Sequence, residues 1–415
     1  MKAALLVAII LLSGCGDTEK AAGPANFDAA DAVPTHGYVR GAEETAEPQA
    51  RLVLADAGTG AVHVLDLITE KVTAVARVAS VEGITGDGRF AYVAHAGESL
   101  RVIDSGGWTV DHGDHLHFYR TTPRDVGTVT GRRALSDAAV TAVSGSGGVR
   151  LLDRAKLEEG LIAQTATVPG TGTALPYDER LFVPVGGAVA IHSRAGAPAG
   201  RLDEPCPQPR GAVVTRRGAV FGCADGALLV GGKGAEKIPH RGERPHERPH
   251  ERPHERPHER PHERPDERSD ERSGGRSGEG ERPGELSGRP GSTVLAAIAG
   301  DGGVWVLDVT AKSWKRLETG PVAAVTATGP QAPVLVLTTD GVLHSWDPES
   351  GRKLAKTRLL DRADDRVTIQ ADPNRAYIND PAVKAVHEID YRDGLRRART
   401  FELDFTPTHM VETGR

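Results

Sequence analysis

Val62-His-Val-Leu-Asp66, Leu100-Arg-Val-Ile-Asp104 and Val149-Arg-Leu-Leu-Asp153 are three copies of one pattern, a short apolar strand ending in aspartate. Further copies stand at Val304-Trp-Val-Leu-Asp308, Val342-Leu-His-Ser-Trp-Asp347 and Val386-His-Glu-Ile-Asp390. Degenerate ones fall at Val189-Ala-Ile-His-Ser193 and Ala227-Leu-Leu-Val-Gly231. Several follow a hairpin signal (Asp225-Gly226, Asp301-Gly302, Asp340-Gly341), where glycine accepts the positive φ of a tight turn. The period is roughly 40 residues, with one long gap before Asp308. Short strands and glycine turns at that spacing, with almost no helical period, predict an all-β fold, a β-propeller. The copies predict eight blades, with seven as the alternative. Pro407-Thr-His-Met-Val-Glu412 reads as an innermost strand with no blade behind it, whereas Leu52 to Ala55 lacks an inner strand before it. The C-terminal strand is therefore expected to complete the first blade and remove two sheet edges. The repeated aspartates Asp66, Asp104, Asp153, Asp308 and Asp390 are read as turn closers, not acid–base groups.

The long gap is an insertion, placed at residues 240–291. It is rich in Gly, Pro, Ser and charge, and its first half repeats His-Glu-Arg-Pro, with His246, His250, His254, His258 and His262 at every fourth position. Proline at this density forbids helix and strand, so the segment is expected to be disordered or polyproline II. Extended at about 3.1 Å per residue, successive histidines lie about 12 Å apart, too far to share one ion. They amount to a weak multi-site metal collector or to a repeat expansion in a permissive loop.

The N-terminus reads as a processing signal. Lys2 precedes the apolar run Ala3 to Leu12, which is too short to span a bilayer, and Ser13-Gly14-Cys15 ends it as a bacterial lipobox does. The expected organisation is a signal peptide over 1–14, a flexible stalk over 15–48 lipidated at Cys15, and the propeller over 49–415 interrupted by the insertion. That gives an extracytoplasmic protein held to the cell membrane by acyl chains alone. The 415 residues carry a net charge of −6, which argues against nucleic acid as a partner. With 4% aromatics, the core must be built from Val, Leu, Ala and Ile. Of three cysteines, Cys206 and Cys223 remain after Cys15, and an oxidising compartment favours their disulfide.

The chemistry-bearing stretch is Trp108-Thr-Val-Asp-His-Gly-Asp-His-Leu-His-Phe-Tyr-Arg120. In an extended segment His115 and His117 project to one side, about 6.5–7 Å apart along the strand. Neutral imidazoles suit Zn2+, whose open sites take three protein ligands. The closure argument offers His409 as the third. Asp111 or Asp114 is placed to orient a ring nitrogen. Because the imidazoles must be neutral, affinity is expected to fall as pH drops through about 6.5. The isolated His63, His95, His192, His344 and His387 are read as core or surface residues.

This motif, the Cys206/Cys223 pair with Phe221-Gly-Cys-Ala-Asp-Gly226, and the ending His409-Met-Val-Glu-Thr-Gly-Arg415 together resemble the AztD family from about residue 50 to the end, excluding the insertion. Those are extracytoplasmic zinc metallochaperones serving a zinc ABC transporter. The resemblance implies a propeller that holds zinc through His115, His117 and His409, with Asp114 or His112 as a further participant, and delivers it to the transporter's solute-binding protein. The insertion and the lipid anchor depart from the family. No enzyme is expected, since no general base accompanies the cluster and no Gly-x-Ser-x-Gly elbow occurs. A propeller metalloenzyme of lactonase or hydrolase type and a metal-free scaffold or adhesion lipoprotein are the alternatives. A closed ring without free edges predicts a monomer.

Overall fold

The strand His409–Thr413 pairs antiparallel with Arg51–Ala55, in the register Ala55 to His409 and Arg51 to Thr413. The last strand of the chain thus becomes the innermost strand of the first sheet, whose remaining strands are Ala61–Asp66 and Val72–Arg77. The structure is a computed structural model and describes Val39 and residues 41–232, 234–240, 283–300 and 302–415.

The fold is a β-propeller. Among the described residues, nine antiparallel sheets form: eight follow one another along the chain, seven with four strands and one, built on Val294–Ile298, with three, and a ninth, three-stranded, projects from the second. Seven of the eight strand copies read from the sequence are the third strand, counted outward, of a four-stranded sheet, and Val304–Asp308 is the middle strand of the three-stranded one. The repeated aspartate caps the turn that follows. Asp66 Oδ1 accepts from the amides of Ile68 and Thr69, Asp308 Oδ1 from Thr310 and Ala311, and Asp347 Oδ1 from Glu349 and Ser350. Apolar residues on the sheet faces pack between neighbouring sheets: Val53, Val64, Val93 and Ile103 lie between the first and second, and Leu54, Tyr377 and Met410 between the eighth and first. Arg133, on the innermost strand of the third sheet, reaches Glu285 beside the sixth, 2.9 Å from Nη2 to Oε2. His344 and His387 are buried and their imidazoles are held below the ordinary value, first by desolvation, as core histidines should be. Cys206 and Cys223 form the expected disulfide.

Two boundaries differ from the sequence reading. The stretch assigned to the stalk up to residue 48 contains a strand, Glu43–Thr45, paired with Leu116–Arg120. The insertion assigned to 240–291 is shorter among the described residues. His240 is buried, with Nε2 3.1 Å from the Ala224 carbonyl and its ring beside Trp305. Pro283 bridges Ala299, Ser287 bridges Ala296, and Leu286 is buried against Val220, Leu295 and Leu307. Residues 283–288 therefore stand where the innermost strand of the sixth sheet belongs. Composition concealed this because ladder bonds are made by backbone, and one buried leucine suffices to seat the segment. Cys15, His246, His250, His254, His258 and His262 lie outside the described residues.

The four-strand pattern fixes which turns share a face. Innermost strands all begin on one face, here the entry face, and the turns joining third to fourth strands lie on the opposite, exit face. His409 begins an innermost strand and so lies on the entry face. His240 and Pro283, the described residues bounding the insertion, lie there too.

Met410 and Val411 are 1% and 7% exposed, so losing the closing strand forfeits about 3–6 kcal/mol of apolar burial and opens two edges. Deleting residues 408–415 is expected to lower the melting temperature by on the order of 10 °C and to promote self-association. Unchanged calorimetric melting of the truncated protein would rule out this closure.

Candidate metal centre

In the second sheet the turn between the third and fourth strands, Ser99–Asp104 and Arg124–Thr130, is replaced by a projecting hairpin. Its strands are Gly107–Asp111 and Leu116–Arg120, and Glu43–Thr45 adds a third at the Leu116–Arg120 edge. The root is tightly built. Gly106 has φ +75°, and a Cβ there would meet the Thr121 carbonyl at 2.4 Å, so only glycine lets the two legs close together. Arg51 Nη1 donates to the carbonyls of Ser105 and Thr121. Arg89 pairs with the buried Asp104 and lies 3.8 Å over the Trp108 ring, which stacks on Tyr119.

At the tip, Gly113 and Asp114 form a two-residue loop. Gly113 has φ +88° and its amide donates to Asp111 Oδ1 at 2.7 Å. The His112 amide donates to the His115 carbonyl at 3.0 Å, so these two residues face each other across the turn. His117 follows on the same face of the hairpin, because alternate residues share a side. The three imidazoles consequently converge, and one ligand nitrogen from each lies within 4.8 Å of the others. His115 Nε2 and His117 Nε2 are 3.0 Å apart. Nitrogens on a tetrahedral Zn2+, each at about 2.0–2.1 Å, sit roughly 3.3 Å from one another, so this pair is already at ligand spacing.

Each of the two closest rings has a carboxylate behind it. His115 Nδ1 is 2.7 Å from Asp114 Oδ1, and His117 Nδ1 is 2.6 Å from Glu44 Oε1. With Nδ1–H donated to a carboxylate, the Nε2 lone pair is directed toward the cation position, the arrangement that metal-binding histidines adopt. The donor set therefore fits a divalent ion that favours nitrogen. His112 and His115 are exposed and His117 half-buried, so the centre opens outward.

The expected ligands separate as follows. His112, His115 and His117 come together; Asp114 supports a ring and is not itself in the cluster; His409 is not in the cluster. The reason is strand direction. A Cβ on Gly107, at the hairpin root, would lie 2.6 Å from the Gln49 carbonyl and 3.3 Å from Gly414 Cα, at the far end of the closing strand. His409 begins that strand, about 13 Å away along it, and the hairpin projects from the exit face. Burial, then Arg366, pushes the His409 imidazole below its ordinary value. Ring closure occurs as expected, but it delivers His409 to the opposite face. Glu44 was missed because it lies in a polar stretch with no period. His112 had a readable signal: Gly113-Asp114, a two-residue turn flanked by histidines, places them opposite each other.

The fold and its site define a class, a β-propeller carrying a histidine-lined hairpin at one blade turn. Among solved structures, the chain has the fold of AztD from Citrobacter koseri: two structures of that protein, one of them the apo form, superpose with TM-score 0.67 at 17% identity, over 88% of this chain and 98% of theirs. The dihydro-heme d1 dehydrogenase NirN in complex with DHE superposes with TM-score 0.54 at 14% identity, over 89% of this chain and 76% of that one. No family model and no curated protein matches the chain by sequence.

Removing a true ligand should abolish tight binding, whereas a distant histidine should be silent. His112→Ala and His117→Ala are each expected to eliminate high-affinity Zn2+ binding in a chelator competition, with His409→Ala binding as the wild type does. Loss of binding in His409→Ala alone would place the centre elsewhere.

Proposed function

We propose that this protein is an extracytoplasmic zinc-binding metallochaperone that carries Zn2+ as cargo to the solute-binding protein of a zinc ABC transporter. The observation that carries the reading is the convergence of His112, His115 and His117 at the tip of an exposed hairpin, two of them backed by carboxylates. The resemblance of the Trp108 to Arg120 motif to the AztD family points the same way, as does the shared fold. A cargo site must hold the ion firmly and still release it. Three neutral imidazoles on an open hairpin leave a coordination position for an incoming ligand, which permits exchange without a free ion. A buried four-thiolate site would retain the metal too strongly.

The role is binding and transfer, not turnover. The two carboxylates nearest the cluster, Asp114 and Glu44, are engaged by ring nitrogens, which leaves them poorly placed to take a proton from a metal-bound water. Placement outside the cytoplasm and lipidation at Cys15 belong to the same proposal, supported by the lipobox and by the Cys206–Cys223 bridge. Among the described residues no helix is long and apolar enough to cross a membrane.

Direct handover has a kinetic signature. Zinc-loaded protein mixed with a metal-free zinc-specific solute-binding protein should lose its ion at a rate that rises with acceptor concentration. A rate independent of acceptor, equal to that into a small chelator, would reduce the protein to a passive buffer.

A further inference from the structure

We infer that Glu44 is a positioning residue for the metal centre, and that docking of the strand Glu43–Thr45 sets how tightly the hairpin holds its ion. The inference rests on the metal-binding reading above.

The two carboxylates behind the rings are not equivalent. Asp114 belongs to the hairpin loop and travels with His115. Glu44 lies 73 residues upstream of His117 and reaches it from a separate segment. That segment is three residues long, with Glu43 and Glu44 exposed. Among the described residues its fastenings, besides Glu44 on His117, are few: the Glu43 carboxylate on Arg120 Nε and Nη2 at 2.9 and 2.7 Å, Thr45 Oγ1 on the Phe118 carbonyl at 3.2 Å, the Gly41 carbonyl accepting from Thr121 Oγ1 at 3.0 Å, and the short ladder itself. An ion pair open to water holds weakly. A short edge strand is also the element of a sheet most easily detached.

Detachment would leave the propeller intact. The chain is next held at Gln49, which is buried, and at Arg51, bound to the Ser105 and Thr121 carbonyls at the hairpin root and opening the second strand of the first sheet. Between Thr45 and Arg51 the chain joins no sheet. Among the described residues, undocking removes one contact from the metal centre, the acceptor on His117 Nδ1. Without it His117 Nδ1 loses that carboxylate and Nε2 is less basic, a change that costs metal sites of this kind about 10–100-fold in affinity. The strand is thus a removable support: docked, it holds the ion; displaced, it favours release from a hairpin whose own fold is unchanged.

The test uses the full chain, Zn2+ alone and a competing chelator. Glu44→Ala and Thr45→Pro, which strips the strand of its hydroxyl bond and a backbone donor, should each weaken Zn2+ binding by about 10–100-fold. Stoichiometry and the metal-free melting temperature should not change. The double variant should be no weaker than either single one, because both act through the same bond. Glu44→Gln, whose amide oxygen accepts the same hydrogen bond, should recover most of the loss. Wild-type affinity in Glu44→Ala or Thr45→Pro, additive losses, or Glu44→Gln as weak as Glu44→Ala would overturn the inference. Failure of the underlying reading looks different: the wild type binds no Zn2+, or the His115→Ala/His117→Ala double variant still binds it.

Discussion

The pairing of His409–Thr413 with Arg51–Ala55 is the constraint on which the rest of this molecule depends. A ring of sheets can shield its innermost strands only if the first and last sheets meet, and an open ring would leave ladder groups bare at both ends. Closing with a strand from the opposite terminus converts a local repeat into one cooperative body. It also seats Met410 and Val411 in two different inter-sheet cores, so that both neighbours are held by the same five residues.

A rigid ring lets a turn be rebuilt without disturbing the frame. The hairpin of the second sheet occupies the place of a tight turn, and its root is locked by Arg89, Asp104 and Arg51, all nearly buried. The Arg89 guanidinium over Trp108 ties the aromatic face of the hairpin to its parent sheet. The tip is different in kind: its histidines are open to water, and one of them depends on a carboxylate from outside the propeller. Firm root and exposed tip together are what the proposed cargo role requires.

Much of the fold was legible in the residues. The six clear and two degenerate strand copies, the aspartate-capped turns and the C-terminal closing strand were all read correctly, because each is a local pattern whose physics acts over a few residues. The paired cysteines were legible through counting and compartment. Residues 43–45 and 283–288 were not, since they are held by backbone pairing and, Leu286 apart, offer no large apolar side chain. Their composition resembles a linker, and composition was the only signal available.

The metal centre divides along the same line. His115 and His117 followed from strand alternation, and the structure sets His112 opposite His115 across a two-residue turn, all within one hairpin. Whether His409 or Glu44 joins them is a question about faces of the ring. Ring closure brings His409 to the first sheet, and Glu44 precedes that sheet, but the alternating direction of successive strands decides on which face each residue emerges. By that rule His409 falls on the entry face and the hairpin on the exit face, while Glu44, just before the first sheet, is carried to His117. Sequence by itself determined which residues can bind a metal; strand direction in the closed ring, which no spacing records, determined which of them meet.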